Sequence, residues 1–125
     1  MNEPVWLLDA AVLIAHEISL ANFGGADGIR DINLLESVLG RRKNLFAYEK
    51  PNLFGLAAAY TSAIVRNHPF VDGNKRTGFL VGSAFLELNG LTLKASETEA
   101  TRIILGVAVG DVADAQLADW FRENT

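Results

Sequence analysis

Pro69 and Gly73 cut in two an apolar, alanine-rich run of helical period that extends from Asn52 to Asn89-Gly90. Before the cut, Leu53, Leu56, Ala57, Tyr60, Ile64 and Val65 recur at spacings of three and four, and Ala57 to Ala59 permit close packing on a neighbouring helix. Pro69 keeps that helix from continuing through His68, because the residue before a proline avoids the α region. After the cut, Phe79, Leu80, Gly82, Ser83, Phe85, Leu86 and Leu88 form a second stripe with small residues in it, closed by Asn89-Gly90. Between the two lies His68-Pro69-Phe70-Val71-Asp72-Gly73-Asn74-Lys75-Arg76-Thr77. It is a loop that runs into a helix N-terminus, where free N–H groups and the positive end of the macrodipole favour anions.

Helical period also governs the rest of the chain. A first element spans about Asp9 to Asn22, with Val12, Leu13, Ala15, His16 and Leu20 on its apolar stripe and Gly24-Gly25 as its stop. His16, on that stripe, is expected to be a packed, hydrogen-bonded core residue. Asp27-Gly28 is a turn pair. Asp31 or Asn33 then caps a short helix from Leu34 to about Leu39, with Glu36 placed as in a capping box. Arg41 to Tyr48 reads either as a solvated basic loop or as a short extended flap ending before Pro51. Ser96 and Glu99 form another capping box, opening a helix through Ile103, Ile104 and Val107. A last helix starts between Asp111 and Asp114 and carries Leu117, Trp120 and Phe121. The expectation is an all-α fold of about six helices, with residues 1–125 as one domain.

Composition narrows the function classes. A chain of 125 residues buries roughly two-thirds of its unfolded surface. It has no cysteine, so disulfide and thiolate chemistry are out, and a reducing cytoplasm is permitted. A net charge of −4 argues against a direct nucleic-acid partner. The cations cluster locally instead, at Arg41-Arg42-Lys43 and Lys75-Arg76. Met1 to Pro4 lack the positive start of a signal peptide, and no apolar run approaches the ~20 residues of a membrane span. A soluble, cytoplasmic protein with no membrane partner is expected. Two histidines without cysteine make a zinc site a poor fit. Gly73 to Thr77 lacks the spacing and preceding strand of a Walker A loop.

The loop chemistry can be read residue by residue. His68 is an imidazole suited to taking a proton from a hydroxyl nucleophile. Asp72 reads either as a helix N-cap or as a Mg²⁺ ligand, since that ion binds through one or two carboxylates plus substrate phosphates. Gly73 lets backbone approach a ligand closely. Asn74, Lys75 and Arg76 offer an amide, an ammonium and a guanidinium to phosphate oxygens. Lys75-Arg76 alone would read as a solvated helix face. Gathered with a histidine and a glycine in one loop, these groups point to phosphate chemistry.

With those residues in view, the chain resembles the Doc (death-on-curing) toxins of the Fic superfamily. The Fic pattern H-x-F-x-[DE]-G-N-G-R-x-x-R is matched at His68, Phe70, Asp72, Gly73, Asn74 and Arg76. Lys75 replaces a glycine of that pattern, and Phe79 replaces its last arginine. Both departures are those of the Doc branch, whose pattern resembles H-x-F-x-D-[AG]-N-K-R-T and is matched through Thr77. Phe23-Gly24-Gly25, Gly28-Ile29-Arg30-Asp31 and Leu34-Leu35-Glu36-Ser37 are similar to the family's amino-terminal segments.

That resemblance implies a Fic fold with the active-site loop at the N-terminus of a central helix. It also implies an ATP- and Mg²⁺-dependent protein kinase that phosphorylates a threonine of elongation factor Tu and arrests translation and growth. In that picture His68 is the base, Asp72 holds Mg²⁺, and Gly73, Asn74, Lys75 and Arg76 steady the transferred phosphoryl. Arg66 matches a basic position of the family and is a further phosphate-binding candidate. The Arg41 to Tyr48 segment corresponds to the family's flap, where Arg42, Leu45 and Tyr48 would dock a target peptide by strand addition. Ser83 to Glu87 has the spacing of the family's inhibitory motif but lies inside the motif helix and reads as helix surface. Inhibition would then come in trans, from a cognate antitoxin whose tail folds on the toxin within a type II toxin–antitoxin module. The alternatives are AMP transfer to a target hydroxyl, as in ordinary Fic proteins, and a catalytically silent antitoxin-binding module.

Overall fold

Capping residues supplied by the local sequence set most of the helix ends in this computed structural model, which describes residues 3–49 and 52–125 and the side chains of all of these except 41–45 and 47–49. Helix α1 (Asp9–Phe23) stops at Gly24, whose N–H reaches Leu20 O at 2.7 Å. Helix α2 (Ile32–Glu49) starts on Asp31, whose Oδ1 accepts from the Leu34 N–H at 3.0 Å. Asn52 begins α3 (Leu53–Asn67) by accepting from Gly55 N–H at 2.9 Å. Helix α4 (Asn74–Leu88) follows Gly73. Ser96 Oγ accepts from Glu99 N–H at 3.1 Å to open α5 (Glu97–Val109), and α6 (Asp114–Glu123) ends the fold. No strand forms among the described residues. Ile29 and Phe70 make one isolated antiparallel bridge.

Helix α3 is the hub. Every residue from Leu56 to Val65 is buried, and the helix packs on α2, α4, α5 and α6. Its contact with α4 brings the two backbones together at Gly78 and Gly82. A Cβ at Gly78 would lie 2.7 Å from Val65 Cγ2, and one at Gly82 would run into Thr61 Oγ1. Thr61 Oγ1 donates to Gly78 O at 2.8 Å across the same joint. Fully buried Leu56, Ile64, Phe70, Phe85, Leu117 and Phe121 fill the core around it. Phe70 belongs to the loop between α3 and α4, so the core itself holds the loop down.

Of the two cap candidates, Asp31 caps α2. One expectation is corrected: α2 continues past Leu39 to Glu49, so the backbone of 41–48 is helical and is neither loop nor extended flap. Gly40 reads as a break, but a single helix-interior glycine costs only about 1 kcal/mol relative to alanine. The residues after it are mostly good helix formers, and Phe46 extends the buried stripe by packing edge-on to Trp6 at 5.8 Å. The side chains of Arg42, Leu45 and Tyr48 lie outside the described residues.

Candidate active site

The loop starts where α3 stops. His68 takes a left-handed conformation, φ 52° and ψ 56°, as the C-cap of α3, and its N–H still reaches Ile64 O at 3.2 Å. It is the only non-glycine residue with positive φ among those described. Pro69 then turns the chain inward and Phe70 enters the core. Asn74 closes this turn: its Oδ1 accepts from Phe70 N–H and its Nδ2 donates to Phe70 O, both at 3.0 Å. Beneath, the buried ring of His16 stacks on Phe70, with centroids 3.9 Å apart and planes 10° off parallel. His16 Nε2 sits 2.8 Å from Asp72 O, and because a carbonyl only accepts, that nitrogen carries the proton. The core reading of His16 is what the structure has.

Asp72 points the other way. Its Oδ1 accepts from Gly73 N–H at 2.9 Å and its Oδ2 from Ala26 N–H at 3.3 Å. The Gly73 N–H, then the Ala26 N–H, hold its carboxyl below the usual carboxylate range, against a small opposing effect of burial; His16 and Lys75 add to the lowering. Gly25 makes room for this arrangement, since a Cβ there would stand 2.9 Å from Asp72 Oδ2. Gly73, at φ 77°, is the N-cap of α4 with no side-chain cap. A Cβ there would meet Leu20 and Ser19 of α1 only at an ordinary contact distance of 3.4 Å, so it is the left-handed backbone that calls for glycine.

A cleft of about 810 Å³ opens above. His68, Asp72, Lys75 and Arg76 line one side, and α5 forms the other with Glu97, Thr101 and Ile104, while Phe79 and Leu80 make its floor apolar. The first intrahelical bond of α4 runs from Thr77 N–H to Gly73 O at 3.0 Å, leaving the N–H groups of the first turn without an intrahelical partner. Arg76 stacks its guanidinium 3.9 Å from the centre of the Phe23 ring. An anion fits this end of the cleft. Magnesium fits too: Asp72 is exposed and ionised, and each of its oxygens accepts only one bond. Among the described residues no group of three or more metal-ligating side chains exists. A Mg²⁺ ion here would take one carboxylate from the chain and its remaining ligands from phosphate and water, a common way of binding this ion.

Six expected residues thus converge on one cleft: His68, Asp72, Gly73, Asn74, Lys75 and Arg76. Asn74 does so with its side chain turned into the loop, so its amide organises the turn instead of facing a phosphate. Arg66 does not belong to the cleft. Its guanidinium donates to Val107 O at 3.2 Å and Val112 O at 2.7 Å and pairs with Asp114 at 3.1 Å, stapling α3 to the α5–α6 connection. The profile of the Fic/DOC family matches residues 6–86, most of the chain and the whole loop. The chain belongs to the Fic/Doc family. Among curated relatives it is similar to "Protein kinase doc" of Escherichia phage P1, 32% identical over 112 residues that cover 89% of this chain and 88% of that one. It is also similar to "Toxin Doc" of Mycolicibacterium smegmatis, 40% identical over 77 residues covering 58% of each chain.

Sequence reasoning missed some of this Fic/Doc site. Arg30 and Ala26 reach the loop from residues 24–31, and only the turn pair Asp27-Gly28 hinted that this segment bends back. The α5 wall, beyond the region that the family profile covers, carries only the capping box that opens the helix and no motif for a site.

Proposed function

We propose that this chain is a Doc-type protein kinase, the toxin of a type II toxin–antitoxin module. It transfers the γ-phosphoryl of ATP to a threonine of elongation factor Tu in the cytoplasm. The observation that carries the reading is that a histidine and an ionised carboxylate flank the open N-terminus of one helix inside one cleft. Similarity to a protein named as a kinase, over most of both chains, supports phosphoryl transfer.

His68 takes the proton from the target hydroxyl as its oxygen attacks phosphorus, and ADP leaves. The N–H groups at the start of α4, with Lys75 and Arg76, hold the phosphoryl oxygens as charge develops on them. Bound at Asp72, Mg²⁺ would supply charge neutralisation at the phosphates. Phe79 removes the cation that AMP-transferring relatives are expected to place there, and the apolar floor favours γ-phosphate at the α4 end. A cognate antitoxin is proposed to inhibit in trans.

The test compares α- and γ-labelled ATP with purified protein and elongation factor Tu. Label moving from the γ position alone, and lost with His68→Ala, is the expected result. Movement of α-label would identify an AMP transferase instead, and no transfer with intact antitoxin binding would identify a silent binding module.

A further inference from the structure

His68 holds a backbone conformation that histidine rarely adopts and that a following proline does not favour. Such geometry persists only where the surroundings over-determine it. On the amide side, the hold is the last helical bond of α3, His68 N–H to Ile64 O. On the carbonyl side it is chiefly one residue, with the Asp31 N–H adding a bond of 3.2 Å to Pro69 O. Arg30 donates from Nη2 to Asn67 O at 2.8 Å and from Nε to His68 O at 2.6 Å. Its backbone N–H donates to Pro69 O at 2.8 Å. Three consecutive carbonyls are bound by one arginine.

We propose that Arg30 is a positioning residue for the catalytic base: its guanidinium fork locks the left-handed turn at residues 67–69 that aims His68 into the cleft. Two adjacent carbonyls match the paired N–H groups on one edge of a planar guanidinium, which a lysine ammonium cannot reproduce. The charge also sits at the C-terminal, negative end of α3. Arg30 is itself held in register, because Val71 N–H donates to Gly28 O at 3.0 Å and Ile29 bridges Phe70. The phosphate-binding end of the cleft, at the start of α4, is built by other residues, so Arg30 acts on the base and leaves the nucleotide grip alone. This inference rests on the reading of His68 as the base.

The test uses the full chain with Arg30→Gln and Arg30→Lys. Three quantities are measured: the backbone chemical shifts of His68, which report its φ and ψ; the melting temperature; and kcat and KM for ATP. Arg30→Gln should move the His68 shifts away from left-handed values and lower kcat by about 10- to 100-fold, the penalty for a slightly misaimed group. KM for ATP should stay within about twofold of wild type. Arg30→Lys should fall between the two. As a control, Arg66→Gln removes an equally exposed fork on backbone carbonyls and should lower the melting temperature without moving the His68 shifts. Unchanged His68 shifts and kcat in Arg30→Gln would overturn the proposal, as would parallel losses in kcat and ATP binding. Should wild type transfer no label at all, the kinase reading fails, yet the His68 shifts still decide whether Arg30 locks the turn.

Discussion

The loop joining α3 to α4 has one histidine beneath it and the other on its open side. His16 is buried, stacked on Phe70, and hydrogen-bonded through Nε2 to a backbone carbonyl. His68 is exposed to the cleft on a strained backbone, and its ring makes no hydrogen bond to the described residues. The same contrast runs through the loop's other residues. Phe70 and the Asn74 amide face inward with their polar atoms paired, whereas the Asp72 carboxylate, Lys75 and Arg76 face out. One face is built for stability and the other is left available for a ligand. Changes to the two faces should therefore have separable consequences.

The largest separation is expected at the open face. His68→Ala should reduce label transfer by about 100- to 10,000-fold, the usual worth of general base catalysis. Its melting temperature should stay near that of wild type, because the residue is exposed; a large stability loss would break the comparison. On the buried face, His16→Phe keeps an aromatic stack on Phe70 but strands the Asp72 carbonyl, at a stability cost of about 1–3 kcal/mol by denaturant unfolding. Stability equal to wild type would mean that the hydrogen bond under the loop is dispensable.

The smallest effect belongs to Asp72, which spans the two faces. Its folded-state pKa is lowered by the Gly73 and Ala26 N–H groups. The unfolded chain then binds the proton more readily, so the stabilisation is fully present above the ordinary carboxylate pKa of ~3.9 and is lost as pH falls through the lower folded value. Urea midpoints of wild type and Asp72→Asn should differ at neutral pH and converge on acidification. A gap that widens in acid would reverse the sign and reject the bonding pattern.

Features governed by near neighbours were legible in the chain. Ser96 caps its helix as its spacing suggests, the helical run opens at Asn52, and Pro69 ends α3 at His68. Features governed by direction around a helix were not. Arg66 lies only two residues before His68, but two residues are about 200° of helical turn, and the side chain serves the far side of α3. Asn74 looks like an amide for phosphate, yet at the first position of α4 it folds back onto Phe70. Arg30 was invisible for a different reason, since its three acceptors lie nearly forty residues away. The length of α2 was hidden by Gly40, whose local cost the buried stripe through Phe46 overrides.

At Gly78 and Gly82 the α4 backbone lies directly against Thr61 and Val65 and the α3 carbonyls of Thr61 and Ala57, so those two helices cannot slide past each other without collision. His68 hangs from one and the open N-terminus of the other faces the same cleft, so the spacing between them is welded. On the opposite wall the one glycine of α5, Gly106, has its bare side against Val112 instead of α3 or α4. Whatever give the cleft needs in order to admit, grip and discharge the nucleotide proposed for it would come from the α5 side, which is also where an engineer should look to change its choice of ligand.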